Sequence, residues 1–330
     1  METKRVAVLG SNSFSGSDFI DLLLDEGCEV VGLSRSPEKS ALFLPYRRKP
    51  QPRFRFHQAD LNRDTARILE ILDGFEPHFV VNFAAQSEVA PSWEHPEQWF
   101  ETNAVALAKL VNRLKDRKYV KRYVHISSPE VYGTCVGTVT ETAPLNPSTP
   151  YAASKAAADL FLSTMSKNFG FPLVTIRATN VYGAHQQLFK VIPRTVIYLE
   201  LGKRIQLHGG GVAVKSYIHI RDVSRGELAA MERGKPGSIY HFSPDRGWAV
   251  RDVVRLICER TGRDFEASTE RVGERPGQDA AYVIDSTRAR SEFGWMPGVS
   301  FQDGVKGVID WVKGNWDAIR QEPLDYVHRP

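Results

Sequence analysis

Tyr151 and Lys155 stand four residues apart in Tyr151-Ala152-Ala153-Ser154-Lys155. A helix there puts the phenol and the ammonium on one face. The ammonium favours the phenolate and lowers its pKa, so the pair can act as base towards a sugar hydroxyl. Tyr-x-x-x-Lys alone is common in chains of this size, and position gives this copy its weight. It opens the apolar helical run Ala156, Ala157, Leu160, Phe161, Thr164, Met165. It also follows Ser127-Ser128-Pro129-Glu130-Val131-Tyr132-Gly133, which closes a strand expected at Tyr123–Ser127. That segment holds a hydroxyl, Ser128, and a carboxylate, Glu130, at the strand's C-terminal edge. A structural carboxylate bonded to backbone amides is the alternative reading of Glu130.

The elements that must position these groups alternate. Strands are expected at Val6–Leu9, Val30–Leu33, Phe54–Phe56, Val80–Phe83, Tyr123–Ser127 and Leu173–Arg177, with helical periodicity between them, as at Asp18–Asp25 and Val105–Leu114. The pattern predicts an α/β fold, a doubly wound parallel sheet whose ligands bind beyond the C-terminal strand edge. Residues 1–180 form its dinucleotide-binding domain in this reading. Residues 181–330, looser and richer in glycine and proline, form a smaller, mainly substrate-binding α/β lobe. Segments near 213–225 and 239–243, around Ser216–Ile220 and Ile239–Phe242, are expected to return to the main sheet.

Composition narrows the function classes. The 330 residues are 42% hydrophobic and 25% charged, and no apolar run approaches the roughly 20 residues that span a bilayer. Val6–Leu9 followed by a glycine-rich turn reads as a first strand, not as a signal peptide. Cys28, Cys135 and Cys258 share no metal-ligand spacing and cannot all pair, which fits a cytoplasmic location. The net charge of +4 is modest and clusters such as Arg47-Arg48-Lys49 carry no aromatic pattern, so no nucleic-acid partner is expected. The nine histidines show no metal spacing, so no metal is expected either.

Gly10-Ser11-Asn12-Ser13-Phe14-Ser15-Gly16 lies at the first strand-to-helix turn. Gly10 and Gly16 suit a tight turn and close packing, and the helix start offers N–H groups to a pyrophosphate, with Ser13 where a third glycine is usual and Phe14 beside it. Ser34-Arg35-Ser36 ends the second strand with no acidic residue for the ribose hydroxyls. Arg35 between two serines suits a 2′-phosphate and favours NADP over NAD; a solvent-facing loop arginine is the other reading. Asp60-Leu61 is placed to meet the adenine, and Phe83-Ala84-Ala85 offers small residues where the dinucleotide passes.

Together these motifs resemble the extended short-chain dehydrogenase/reductases, with their Rossmann domain, and within them the nucleotide-sugar 4,6-dehydratases of the dTDP-glucose and GDP-mannose types. Further stretches carry the resemblance: Asn82-Phe83-Ala84-Ala85-Gln86-Ser87, Thr102-Asn103, Arg177-Ala178-Thr179-Asn180-Val181-Tyr182-Gly183, Lys190-Val191-Ile192-Pro193, Arg275-Pro276-Gly277-Gln278-Asp279 and Phe293-Gly294-Trp295-Met296-Pro297. It implies a three-stage reaction. Tyr151 takes the C4 hydroxyl proton as hydride passes to the cofactor, Lys155 lowers the tyrosine pKa and bonds the nicotinamide ribose, and Ser128 holds the C4 oxygen. Glu130 removes the C5 proton as water leaves from C6, and hydride returns to C6. The resemblance also implies substrate contacts from Ser87, Asn180, Lys190, Val191, His208, Lys215, Arg275 and Gln278, and a homodimer through a four-helix contact of helices 153–168 and 95–115, with Trp93 and Trp99 packed near it.

The chain departs from the pattern at several of these places. Pro129 replaces the acid that the dTDP-glucose type sets before the Glu. Gln278 stands for a His, His241 for an Asn, Lys215 for a phosphate-contacting Arg, and His208 for an aromatic. A lysine offers a point charge where arginine gives a fork. The base and the sugar therefore stay open, and an epimerase or a UDP-glucuronate-type decarboxylase is the alternative activity.

Overall fold

The computed structural model describes residues 3–48, 50–134, 137–273 and 283–329. Seven strands form one parallel sheet: β1 (Arg5–Leu9), β2 (Glu29–Ser34), β3 (Phe54–Gln58), β4 (Phe79–Asn82), β5 (Arg122–Ile126), β6 (Leu173–Ala178) and β9 (Ser238–Phe242). Their order is β9-β6-β5-β4-β1-β2-β3. The inner strands are buried on both faces, which is why most of them read as nearly continuous apolar runs, whereas the edge strand β3 is half-exposed and carries Arg55, His57 and Gln58. In β1 the alternation divides the core, with Val6 and Val8 on one side of the sheet and Ala7 and Leu9 on the other. The order reverses between β1 and β4, so the crevice of such a sheet opens where Leu9 and Asn82 end.

Two helices set up the site. Helix α1 (Phe14–Asp25) follows β1 directly. Helix α4 (Pro150–Phe169) is capped by the Thr149 hydroxyl, which accepts from the Ala152 N–H, opens on Pro150 and stops at left-handed Gly170. Tyr151, Lys155, Asp159 and Leu162 follow one another on its buried face at the spacing that points side chains the same way.

Two expectations need correction. Ser216–Ile220 does not return to the main sheet: β8 (Tyr217–His219) pairs only with β7 (Asn180–Tyr182) in a separate two-stranded piece. What returns there is helix α6 (Ile220–Arg233), whose Val223, Ala230 and Met231 pack in one core with Val124 of β5 and Val174 and Ile176 of β6. An apolar run records burial but not which strand it joins. Ile239–Phe242 does join the sheet, as β9. The helix expected at Val105–Leu114 is present as α3 (Leu107–Leu114), and only its start is corrected: a π-helical turn, Glu101–Ala106, leads into it. The wider turn carries Asn103, whose amide bonds Gln86 main-chain groups at 2.9 and 3.0 Å and the Ser154 hydroxyl at 2.9 Å.

Candidate active site

The glycine turn is built by steric necessity. Gly10 has φ +82, and a Cβ there would lie 2.7 Å from the Ala84 nitrogen and 2.8 Å from the Phe83 carbonyl carbon. Only glycine lets β1 and β4 approach so closely at the switch point. A Cβ on Gly16 would lie 2.5 Å from the Gly10 oxygen. Ser13 has φ −74 and caps α1, its hydroxyl accepting from the Gly16 N–H at 3.0 Å. A position with negative φ has no need of glycine, so the fingerprint is structurally complete with serine. Phe14 is buried at the helix start.

Above this turn lies a cavity of about 610 Å³. Its walls include Gly10, Ser13, Ser34, Arg35, Ser36, Asp60, Leu61, Phe83, Ala84, Ala85 and Ser87, so eleven of the expected cofactor and substrate residues converge there. The Asp60 carboxylate is oriented by the Asn62 N–H at 2.9 Å. Asn12, which the motif reading passed over, holds the loop after β2 by donating to the Ser36 and Pro37 carbonyls at 2.9 and 2.8 Å. Ser34 accepts from the Asn12 N–H at 3.0 Å, so its hydroxyl holds the turn together. A dinucleotide suits this cradle: the turn excludes side chains where a pyrophosphate must approach, and α1 points its N-terminus at it.

The residues expected to be catalytic sit next along the strand edge. Ser128 ends β5's extension and caps the 3-10 turn Pro129–Tyr132, accepting from the Glu130 N–H at 3.2 Å. Pro129 suits the first position of that turn, where no N–H is needed. Burial drives the Tyr151 pKa up, the Glu130 charge adds to that, and the Ser128 hydroxyl offsets only part. Lys155 is fully buried and gives its Nζ to the Ile126 carbonyl at 2.7 Å. Its own pKa falls to about 8 through burial, with Asp159 pulling the other way.

Behind this pair lies a buried polar hub that sequence reasoning missed. Asp159 accepts from Arg177 Nη2 at 2.6 Å and from the Ser127 hydroxyl at 2.7 Å, and His125 Nε2 lies 3.5 Å away. Burial alone would raise its pKa, yet His125, Arg177 and Ser127 hold it down at about 2. Arg177 also donates to the Tyr132 hydroxyl, which in turn donates to His241 Nε2 at 2.8 Å. His241 Nδ1 is 3.0 Å from the Asp285 carbonyl. The hub ties the turn carrying Ser128 and Glu130 to the helix carrying Tyr151 and Lys155. Arg177 and His241 stand out in the sequence only as motif positions, and the signal that could have linked them to the site is Asp159, four residues beyond Lys155 on the same face.

The expected substrate residues are spread out. Asn180 starts β7, and its buried Oδ1 has no hydrogen-bond partner among the described residues, which suits a donor supplied by a ligand. Lys190 precedes helix α5 (Val191–Glu200) and pairs with Glu88 at 2.8 Å, so a diphosphate would compete with that carboxylate. Val191 opens α5 against its core. His208 Nδ1 is 3.1 Å from the Gly273 carbonyl, and Lys215 pairs in register with Trp248. Arg275 and Gln278 lie outside the described residues.

The comparisons with known proteins agree with this geometry. The family model described as GDP-mannose 4,6 dehydratase matches residues 8–308. A dTDP-glucose 4,6-dehydratase of Streptomyces griseus is 31% identical over 319 residues, covering 94% of each chain. The solved dTDP-glucose 4,6-dehydratase of Streptomyces venezuelae, crystallised with NAD, superposes with TM-score 0.88 at 32% identity, covering 95% of this chain and 98% of that one. A UDP-glucose 4-epimerase of Thermotoga maritima follows at 25% identity and TM-score 0.86, covering 94% and 99%. The chain thus belongs to the GDP-mannose 4,6-dehydratase family, the NAD(P)-dependent nucleotide-sugar 4,6-dehydratases of the extended short-chain dehydrogenase/reductases.

Proposed function

We propose that Tyr151, Lys155, Ser128 and Glu130 convert a nucleotide-activated hexose to its 4-keto-6-deoxy form, with NAD as the cofactor. One observation carries the reading: Lys155, on the helix that bears Tyr151, donates to the Ile126 carbonyl at 2.7 Å, at the end of the strand whose next turn carries Ser128 and Glu130. NAD+ in the Gly10 cavity would take a hydride from C4, return it to C6, and bring a positive ring that favours the Tyr151 phenolate. Tyr151 then removes the C4 hydroxyl proton, and Ser128 holds the oxygen as it becomes a carbonyl. The ketone acidifies C5–H. Glu130 takes that proton and delivers it to the departing C6 oxygen, both steps falling to one carboxylate because Pro129 has no proton to give, and as hydride reaches C6 the proton that Tyr151 took from the C4 hydroxyl is the one returned to C5. Lys155, released from the Ile126 carbonyl, would bond the ribose.

NAD is preferred to NADP because Arg35, which was expected to meet a 2′-phosphate, donates instead to the Arg329 carbonyl at 2.8 Å. Related structures are also described with NAD. The nucleotide-sugar substrate is read with Asn180, Lys190 and Lys215 towards its diphosphate side. No helix among the described residues is long and apolar enough to cross a membrane, and Cys28 and Cys258 are buried free thiols, which supports a cytoplasmic enzyme.

Glu130→Gln tests the reaction. With a panel of GDP-, CDP-, UDP- and dTDP-hexoses, the native protein should yield a product lighter by one water. The variant should lose that product by about 100-fold or more and accumulate reduced cofactor instead. Unchanged turnover in the variant would sink the dehydratase reading and favour the epimerase, which needs no acid at this position. We further propose a homodimer, since Phe100, Val105, Leu160 and Phe169 expose apolar surface on the two helical runs expected to pair, whereas Trp99 is fully buried within the chain. Light scattering should return twice the 37.1 kDa chain mass, and a single chain mass would refute it.

A further inference from the structure

Residues 322–329 carry no regular secondary structure, yet they form the wall of the dinucleotide cavity that faces the strand edge. Three kinds of contact hold them there. The Arg329 carbonyl accepts from Arg35 Nη2 at 2.8 Å and from Gln86 Nε2 at 2.9 Å, two groups that belong to the opposite wall. The His328 ring stacks with His95 and Trp99 at 5.1 and 5.5 Å between centroids, within 12° of parallel, and its Nε2 is 2.7 Å from Gln98 Oε1. Tyr326 meets Phe189 edge-on at 5.4 Å, and Asp325 pairs with Arg194 at 3.2 Å. Between these anchors Val327 is 61% exposed. A segment held by a few polar and stacking points, with little apolar burial, opens locally at low cost.

We propose that Glu322–Arg329 is a strap that closes over the dinucleotide after it binds and retains it through turnover. The inference rests on the dinucleotide reading of the cavity. The chemistry explains why retention matters: the cofactor is reduced in the first stage and reoxidised in the last, with no net change. A reduced cofactor that escapes midway strands the sugar as a 4-ketone. Such a site gains from slow cofactor exchange, and a strap slows exit without adding contacts at the reacting carbon. Its two bonds to Arg35 and Gln86 join the walls at the Arg35 end of the cavity, so the dinucleotide cannot leave until they part.

His328→Ala removes both the stack and the Gln98 bond. The rate at which NADH leaves the variant, measured by stopped-flow fluorescence with no sugar present, should rise about tenfold over the native protein, equivalent to about 1.4 kcal/mol. Gln98→Ala, which removes one anchor and leaves His328 and its neighbouring rings in place, should move the rate in the same direction by less. Should His328→Ala fail to fold, Gln98→Ala decides the question alone. An NADH release rate within twofold of native in the folded variants would overturn the strap. Tighter NADH binding would also overturn it, by showing that the segment competes with the cofactor. Because no sugar is used, failure of the dehydration assay leaves this result standing, and the reverse also holds.

Discussion

The catalytic edge and the cofactor rim are adjacent, yet they are held by opposite means. At the catalytic edge, Asp159, Arg177, Tyr132 and His241 are fully or nearly fully buried and bonded side chain to side chain across two strands, the turn after β5 and a helix. At the rim, a short glycine turn fixes the backbone by steric exclusion, and an irregular segment closes the far wall through a main-chain carbonyl. The first is complete before any ligand arrives, which suits groups that must hold their geometry through several chemical stages. The second is assembled from contacts that can part, which suits a ligand that must enter.

The largest effect should come from breaking the prebuilt side. Asp159→Ala leaves the Arg177 guanidinium, 1% exposed, without its carboxylate. Loss of one partner of a buried pair costs about 3–5 kcal/mol, and urea unfolding should show it. The same change removes the charge that supports the Lys155 ammonium, so the lysine pKa should fall further below about 8. A loss under about 1 kcal/mol would mean that the hub is not what holds the catalytic edge.

Gly10→Ala separates the two regions more sharply. The left-handed backbone there costs a non-glycine residue about 1–2 kcal/mol, and the new Cβ must displace the Ala84 nitrogen 2.7 Å away. Stability should therefore fall less than in Asp159→Ala while NAD affinity, measured by calorimetry, falls at least tenfold. Equal losses of stability in both variants with unchanged NAD binding would dissolve the contrast.

The two regions also differ in how far the sequence discloses them. The sheet was legible because buried parallel strands read as β-branched runs, and the observed bounds lie within a residue or two of the expected ones. The glycine turn was legible because backbone sterics restrict residue type there, and the placement of Ser128 and Glu130 after a strand and of Tyr151 and Lys155 on one helix face was legible from spacing. Ser216–Ile220 was misassigned because apolar character does not name a pairing partner. The strap was invisible: Arg329 reaches Arg35 across 294 residues and Gln86 across 243, through a main-chain oxygen that any residue carries. The hub was half visible. Arg177 and His241 were noticed as motif members, but only folding shows that they meet through Tyr132.

His241 gives the finest test of the comparison, because it is where this chain departs from the asparagine of its relatives' pattern. Arg177 donates to the Tyr132 hydroxyl, which leaves the Tyr132 proton for His241 Nε2 and so requires the Nδ1–H tautomer that faces the Asp285 carbonyl. Burial, reinforced by the Arg177 charge, lowers the His241 pKa to about 3, and burial with the Lys155 charge lowers that of His125 to about 4. Both rings are neutral when folded and become protonated on unfolding once the pH is below about 6.5. The unfolded chain then binds more protons, so stability falls as pH falls, by about 1.4 kcal/mol per pH unit for each ring. Asp159, held at about 2, extends the loss only below the ordinary carboxylate range, as its folded carboxylate resists a proton that the unfolded one accepts. His241→Asn keeps an acceptor for Tyr132 and removes one of the two titrating rings. Urea unfolding from pH 6 to pH 4 should then give a slope about one proton shallower in the variant. Parallel curves would mean that His241 titrates in the folded protein as it does in water, and that the hub is wetter than its burial implies.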